Sequence, residues 1–224
     1  MTKNLLIVGS DSSLGRELSS QGVFNGYNVI KYNSYTFEKL KNIRFDLDML
    51  IGDRQIDYVI NNWGINRLSH IGTTGWVDED ILHHNVMIPY LVIDCLVNNN
   101  QTCRVINVAS ATYRVNQRCT TLYSASKAAL VQMTKVMARE LAPKGWVINA
   151  VAPGKIEDTR MSELTDKQVL ELRGWTEEQA NDYAISNIPM GRFTTRKEVA
   201  EAIYLMFKMP AYVNGSVLDI MGGV

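Results

Sequence analysis

The sequence predicts an α/β fold, a doubly wound parallel sheet with helices on both faces, and three observations carry that expectation. Short, apolar, β-rich runs recur along the chain. Stretches with apolar residues at three- and four-residue spacing separate them, and a glycine-rich turn directly follows the first run. The strand candidates are Leu5–Val8, Val29–Tyr32, Tyr58–Ile60, Arg104–Val108, Val147–Val151 and Val217–Ile220, with a weaker run at Ile43–Phe45 before Asp46. Several are continuously apolar, as strands covered on both faces require.

The helical pattern is clearest over Asp80–Val97 and Leu122–Leu141, the second of which Pro143 and Gly145 stop. A third helix is expected over Arg196–Met206, with Thr195 as N-cap and Glu198 completing a capping box. The segments near Thr36–Asn42 and Leu47–Arg54 leave room for only about two turns each. Thr176-Glu177-Glu178 marks a helix start within a polar insertion, Arg160–Asn187. With no repeat, low-complexity tract or linker, residues 1–224 read as a single domain.

Lys plus Arg and Asp plus Glu number 23 each, so the formal net charge is zero. That balance lacks the broad basic footprint of a nucleic-acid binder and gives no reason to expect a membrane partner. No apolar run approaches membrane-spanning length, and Leu5–Val8 is too short for a signal-peptide core. Cys95, Cys103 and Cys119 lack metal or redox spacing and read as idle thiols of a soluble, cytoplasmic protein. His70, His83 and His84 have no fitting set of metal ligands nearby in sequence, so no metal is expected, and Asp78-Glu79-Asp80 reads as helix-start charge.

Gly9-Ser10-Asp11-Ser12-Ser13-Leu14-Gly15 follows the first strand and opens a helix. Small residues there let the backbone turn tightly and approach a pyrophosphate seated on the helix N-terminus, as in a Rossmann-type dinucleotide site. An acid at the end of the second strand would select NAD through the ribose 2′-hydroxyl. Here Asn33 and Ser34 fall at that place, and Lys31 precedes them. A neutral pair does not repel a 2′-phosphate, which favours NADP(H), with NAD(H) the other candidate.

Tyr123 and Lys127 lie four residues apart in a helical segment, on one face and about a turn apart. A free phenol, with a pKa of about 10, transfers protons poorly at neutral pH. A neighbouring ammonium stabilises the phenolate and is expected to lower that value, making the tyrosine a usable general acid or base. Ser110 ends the strand before this helix, at the carboxyl edge where doubly wound sheets hold ligands.

Together these residues resemble the short-chain dehydrogenase/reductase family, and the resemblance spans nearly the whole chain. Gly9 and Gly15 match its glycine signature, Asn61-Asn62-Trp63-Gly64 its Asn-Asn-Ala-Gly segment, and Asn85 its helix asparagine. Ser110 lies thirteen residues before Tyr123, the family interval, and Tyr123 with Lys127 fits Tyr-x-x-x-Lys. Ala152-Pro153-Gly154, Pro189-Met190-Gly191-Arg192 and the ending through Gly222-Gly223 also match.

The resemblance implies a hydride transfer between NAD(P)(H) and a small carbonyl or alcohol substrate, with Tyr123 as general acid/base. Lys127 would lower the pKa of Tyr123 and hold the nicotinamide ribose, Ser110 would bond the substrate oxygen, and Asn85 would support a proton-carrying water. Cofactor contacts are implied at Gly9, Asp11, Ser12, Ser13, Leu14, Gly15, Asn33, Ser34, Asp46, Leu47, Asn62, Trp63, Gly64, Tyr123, Lys127, Pro153, Gly154 and Ile156. Asp46 would help hold adenine, and Pro153-Gly154 would line the nicotinamide pocket. Residues 156–188 would form a substrate lid, and a homodimer or homotetramer would be the usual assembly.

Some residues depart from the family pattern. Ser13 stands at the middle glycine and Val8 at a threonine, and Pro153 to Thr159 carries one residue more than the family interval. Trp63 replaces a small alanine beside the cofactor, so its indole must swing away, stack or narrow the site. Ser13 and Trp63 therefore support an alternative function, a catalytically weak cofactor-binding or sensor protein on the same fold.

Overall fold

In the computed structural model, which describes residues 2–20, 22–33, 42–73 and 80–224, six strands form one parallel sheet. They are β1 (Lys3–Val8), β2 (Tyr27–Tyr32), β3 (Tyr58–Asn61), β4 (Arg104–Val108), β5 (Val147–Pro153) and β6 (Val217–Ile220). The order is β2-β1-β3-β4-β5-β6, with every pairing parallel. The chain leaves β1 toward one edge and returns to build the other half from β3. The carboxyl ends of β1 and β3 therefore flank the point where strand order reverses, which is where such sheets open a ligand crevice.

Strand alternation divides the core between the two faces. Leu6, Val8, Val59, Val105 and Ile148 face one apolar cluster, and Leu5, Ile7, Ile60, Ile106 and Val151 face the other. The first cluster is closed by helices α2 (Ile43–Ile51), α3 (Asp80–Asn98) and α4 (Thr121–Leu141). The second is closed by α1 (Ser13–Ser19) and by a helix over Arg196–Lys208. Between β5 and that last helix stand α5 (Arg160–Arg173) and α6 (Glu177–Ser186), so the Arg196–Lys208 helix is α7. Capping boxes open α7 at Thr195, as the sequence indicates, and α6 at Thr176, where the sequence indicates a helix start.

Two expectations change. Ile43–Phe45 is the first turn of α2 and not a strand. Ile43, Leu47 and Ile51 recur at four-residue spacing and are all buried in the first cluster, so a helical stripe outweighs a three-residue β-like run. Helix α3, at 19 residues and mean hydropathy 1.2, also comes nearer to membrane-spanning composition than the sequence reading allowed. Its inner side, including Ile88, Val92, Ile93 and Leu96, packs into the first cluster, as a core helix does. Residues 34–41 and 74–79 lie outside the described residues, and with them Ser34, most of Thr36–Asn42, and Asp78-Glu79.

Candidate active site at the carboxyl edge of the sheet

The glycine turn sits at the sheet's reversal point and is braced from three directions. Gly9 has φ +84°, and a Cβ there would stand 2.9 Å from the Trp63 amide nitrogen. A Cβ on Gly15 would lie 2.1 Å from the Gly9 carbonyl oxygen, so both glycines are sterically required. Ser12 caps α1 by accepting from the Gly15 amide at 3.0 Å, and its hydroxyl donates to the Gly9 carbonyl at 3.0 Å. The Asn62 side chain donates to that carbonyl at 3.0 Å and to Ser12 Oγ at 2.8 Å. This bracing leaves the Ser13 and Leu14 amides of the first turn without an intrahelical acceptor, in position for an anionic group.

Asn33 reinforces the same turn. It accepts from the Asp11 amide at 3.0 Å and donates to Ser10 Oγ at 2.7 Å, so its side chain holds the loop at the place where an NAD-selecting acid would stand. Leu14 and Leu47 bury their side chains in the two core clusters, which leaves only their backbones for a ligand. Asp46 lies in the first turn of α2, its amide bonded to the Asn42 carbonyl, and does not follow a strand over Ile43–Phe45.

Trp63 resolves among its three options by turning toward α3. Its indole N–H donates to His84 Nδ1 at 2.6 Å, the rings stack at 5.7 Å, and the indole packs against the first core cluster. Accepting at Nδ1 fixes His84 as the neutral tautomer protonated at Nε2. Burial holds its pKa below the ordinary value, against the opposing pull of Asp80. Protonation removes the acceptor, so this contact stabilises the fold above pH 6.5 and is lost as pH falls below it. The wild-type melting temperature is expected to fall more steeply between pH 7 and pH 5 than that of His84→Gln; parallel curves would contradict this.

Ser110, Tyr123 and Lys127 converge, each at most 9% exposed. Ser110 follows β4 in extended conformation and caps a short 3₁₀ turn, Ala111–Tyr113. The Lys127 ammonium donates to the Val108 carbonyl at 2.9 Å and stands 5.8 Å from the centre of the Tyr123 ring. Gly64 closes over Lys127 and Asn85: a Cβ there would come within 3.2 Å of Lys127 Nζ and 3.1 Å of Asn85 Oδ1. Burial pushes the Tyr123 phenol up, with the Ser110 side chain pulling the other way, and pushes Lys127 down to about 8. The expected lowering of the phenol does not appear, because desolvation outweighs the Ser110 hydrogen bond that favours the phenolate.

Asn85 lies in a π-helical turn of α3, His83–Met87, and is fully buried. Its Oδ1 accepts from the Ile65 amide at 2.8 Å, and its Nδ2 donates to the Ile65 carbonyl and to Ser126 Oγ, both at 2.9 Å. The side chain thereby fastens the segment after β3 to α3 and α4. Pro153 ends β5, and the Gly154 amide donates to the Ile220 carbonyl at 2.9 Å. Ile156 is half-buried and bridges to Thr194. Sequence reasoning missed Asn66 and Gln168, which join the segment after β3 to α5 through Thr165 and the Leu68 amide. No local pattern announces partners about a hundred residues apart.

A family model described as enoyl-(acyl carrier protein) reductase matches residues 51–224, more than half of the chain. The chain belongs to the short-chain dehydrogenase/reductase family. An uncharacterised oxidoreductase of Bacillus subtilis, YmfI, is 28% identical over 100% of this chain and 99% of its own length. The 3-oxoacyl-[acyl-carrier-protein] reductase of Vibrio harveyi is 33% identical over 75% of this chain and 66% of its own length. A short-chain dehydrogenase family protein from Francisella tularensis superposes with TM-score 0.86 at 23% identity, covering 99% and 98% of the two chains. Solved chains holding NADPH, NADP or NADH share this fold at 22–24% identity. The chain is accordingly an oxidoreductase of that family, acting on carbonyl or alcohol groups.

Proposed function

We propose that this chain is an NADP(H)-preferring carbonyl reductase in which Tyr123 transfers the proton, Lys127 charges its surroundings and Ser110 holds the substrate oxygen. The observation that carries the proposal is the convergence of these three buried side chains, Ser110 bonded to Tyr123, Lys127 5.8 Å from the Tyr123 ring centre and Gly64 against Lys127. Gly9, Ser12, Ser13, Leu14, Gly15, Asn62 and Gly64 would hold a dinucleotide across the reversal point. Asn33, bound to the turn and uncharged, leaves room for a 2′-phosphate. A nicotinamide supplies the hydride.

Reduction would also need a proton at the carbonyl oxygen. A phenol held above its ordinary pKa is protonated at neutral pH and can donate to the oxygen that Ser110 positions. Lys127, with a pKa of about 8, is mostly charged at pH 7 and stabilises the phenolate left behind. Trp63 and Ser13 have partners elsewhere, His84 and Arg160, which weakens the crowding that supports a sensor role.

Residues 156–188 act as the substrate lid in this proposal, and a second copy of the chain is the expected partner. Two of the three cysteines, Cys95 and Cys103, have thiols raised to about 12 by burial, which supports inert thiols in a reducing cytoplasm. The direct test is calorimetric titration with NADPH and NADH, followed by turnover on a carbonyl panel that includes a 3-oxoacyl thioester. Tighter binding of NADPH with carbonyl-dependent oxidation is expected. Absence of binding by either nucleotide would reject the proposal.

A further inference from the structure

Helices α5 and α6 contain no buried residue, so apolar packing contributes little to holding them in place. The base of the insertion is closed by a parallel bridge between Ile156 and Thr194. There the Glu157 amide donates to the Thr194 carbonyl at 3.0 Å, and the Thr194 amide to the Lys155 carbonyl at 3.2 Å. Lys155 adds an ion pair to Asp166 at 2.6 Å. Beyond this base, polar contacts carry α5 to the other half of the molecule. Thr165 and Gln168 meet the segment after β3, and the Arg160 amide donates to Ser13 Oγ at 3.2 Å.

The last contact joins elements 147 residues apart. Ser13 follows β1, whereas α5 follows β5, and the sheet places β3 and β4 between those strands. The chain between β5 and α5 therefore spans the width of β4 and β3 to reach Ser13. The bond also adds to the capping of α5. Thr159 Oγ1 satisfies the Ser162 amide at 3.1 Å, while the first helical amide, Arg160, has no intrahelical acceptor and takes the Ser13 hydroxyl instead. Ser13 is itself buried, so water competes poorly for this bond.

We infer that Ser13 is a positioning residue that latches the first lid helix onto the dinucleotide turn, coupling occupancy of that turn to closure over the substrate. A glycine or alanine there has no acceptor to offer α5, so the hydroxyl adds a link that the family's middle glycine lacks. Because the Ser13 amide and its hydroxyl belong to one residue, a ligand that orders the amide also fixes the latch. Reciprocity then requires that lid closure tighten the turn's grip on its ligand. The coupling rests on the dinucleotide and lid assignments above; the latch itself does not.

Hydrogen exchange followed by mass spectrometry separates the two. In the free protein, Ser13→Ala is expected to speed exchange over residues 160–170 roughly three- to tenfold, as the loss of one ordinary hydrogen bond would. Residues 196–208 should be unchanged, and Ser13→Thr should restore slow exchange. With saturating NADPH, wild type should gain further protection over 160–170 that Ser13→Ala lacks, and the variant should show a raised KM for the carbonyl substrate. Equal exchange over 160–170 in free wild type and Ser13→Ala overturns the latch. Protection by NADPH that persists in Ser13→Ala overturns the coupling. Absence of NADPH binding refutes the assigned cofactor while the free-protein comparison still decides the latch.

Discussion

Replacing Tyr123 by phenylalanine is expected to lower turnover by about 10²–10⁴-fold, the usual contribution of a positioned proton donor, while nucleotide affinity stays near the wild-type value. The ring packs in the same buried place, and only the hydroxyl beside Ser110 is lost. Steady-state kinetics with nucleotide titration checks this. Turnover within about tenfold of wild type would remove Tyr123 from the chemistry.

Lys127→Met should combine a comparable loss of turnover with a gain in stability at neutral pH. Burial lowers the Lys127 pKa from 10.5 to about 8, so the folded protein at pH 7 carries an ammonium at a desolvation cost of about 3 kcal/mol. Methionine removes that cost but leaves the Val108 carbonyl without its 2.9 Å donor, a penalty of about 1–3 kcal/mol. The expected net gain is about 1 kcal/mol in chemical denaturation at pH 7. Its sign follows from the burial term being the larger.

The pH dependence distinguishes this explanation from simple repacking. Between pH 8 and pH 10.5 the unfolded chain binds the Lys127 proton and the folded chain does not, so wild-type stability rises with pH across that window. The advantage of the variant should therefore vanish part-way through that window and reverse by pH 10.5, where the lost Val108 bond is all that remains. Carbonyl reduction by wild type should decline as pH rises through about 8, when the ammonium is lost. A stability difference that is flat over this range would sink the assignment of the burial cost to Lys127.

Some of this site is legible in the chain because its determinants are local. Tyr123 and Lys127 are one helical turn apart, the glycine turn is seven consecutive residues, and the capping box at Thr195 spans four residues. Where two local signals compete, as at Ile43–Phe45, the winner depends on what lies opposite. The stripe Ile43, Leu47 and Ile51 finds the first core cluster to pack against, and the segment coils.

The sequence by itself determined the α/β class, the strand sites and the two long helices, since backbone periodicity and side-chain type are properties of neighbours. Only the tertiary structure decided which way Trp63 turns, that Asn85 ties Ile65 to Ser126, that burial reverses the expected tuning of Tyr123, and that Ser13 reaches Arg160. Each of these depends on a partner or a dielectric environment supplied by residues distant in the chain. Periodicity encodes which face of an element is apolar, but not which group will stand opposite it.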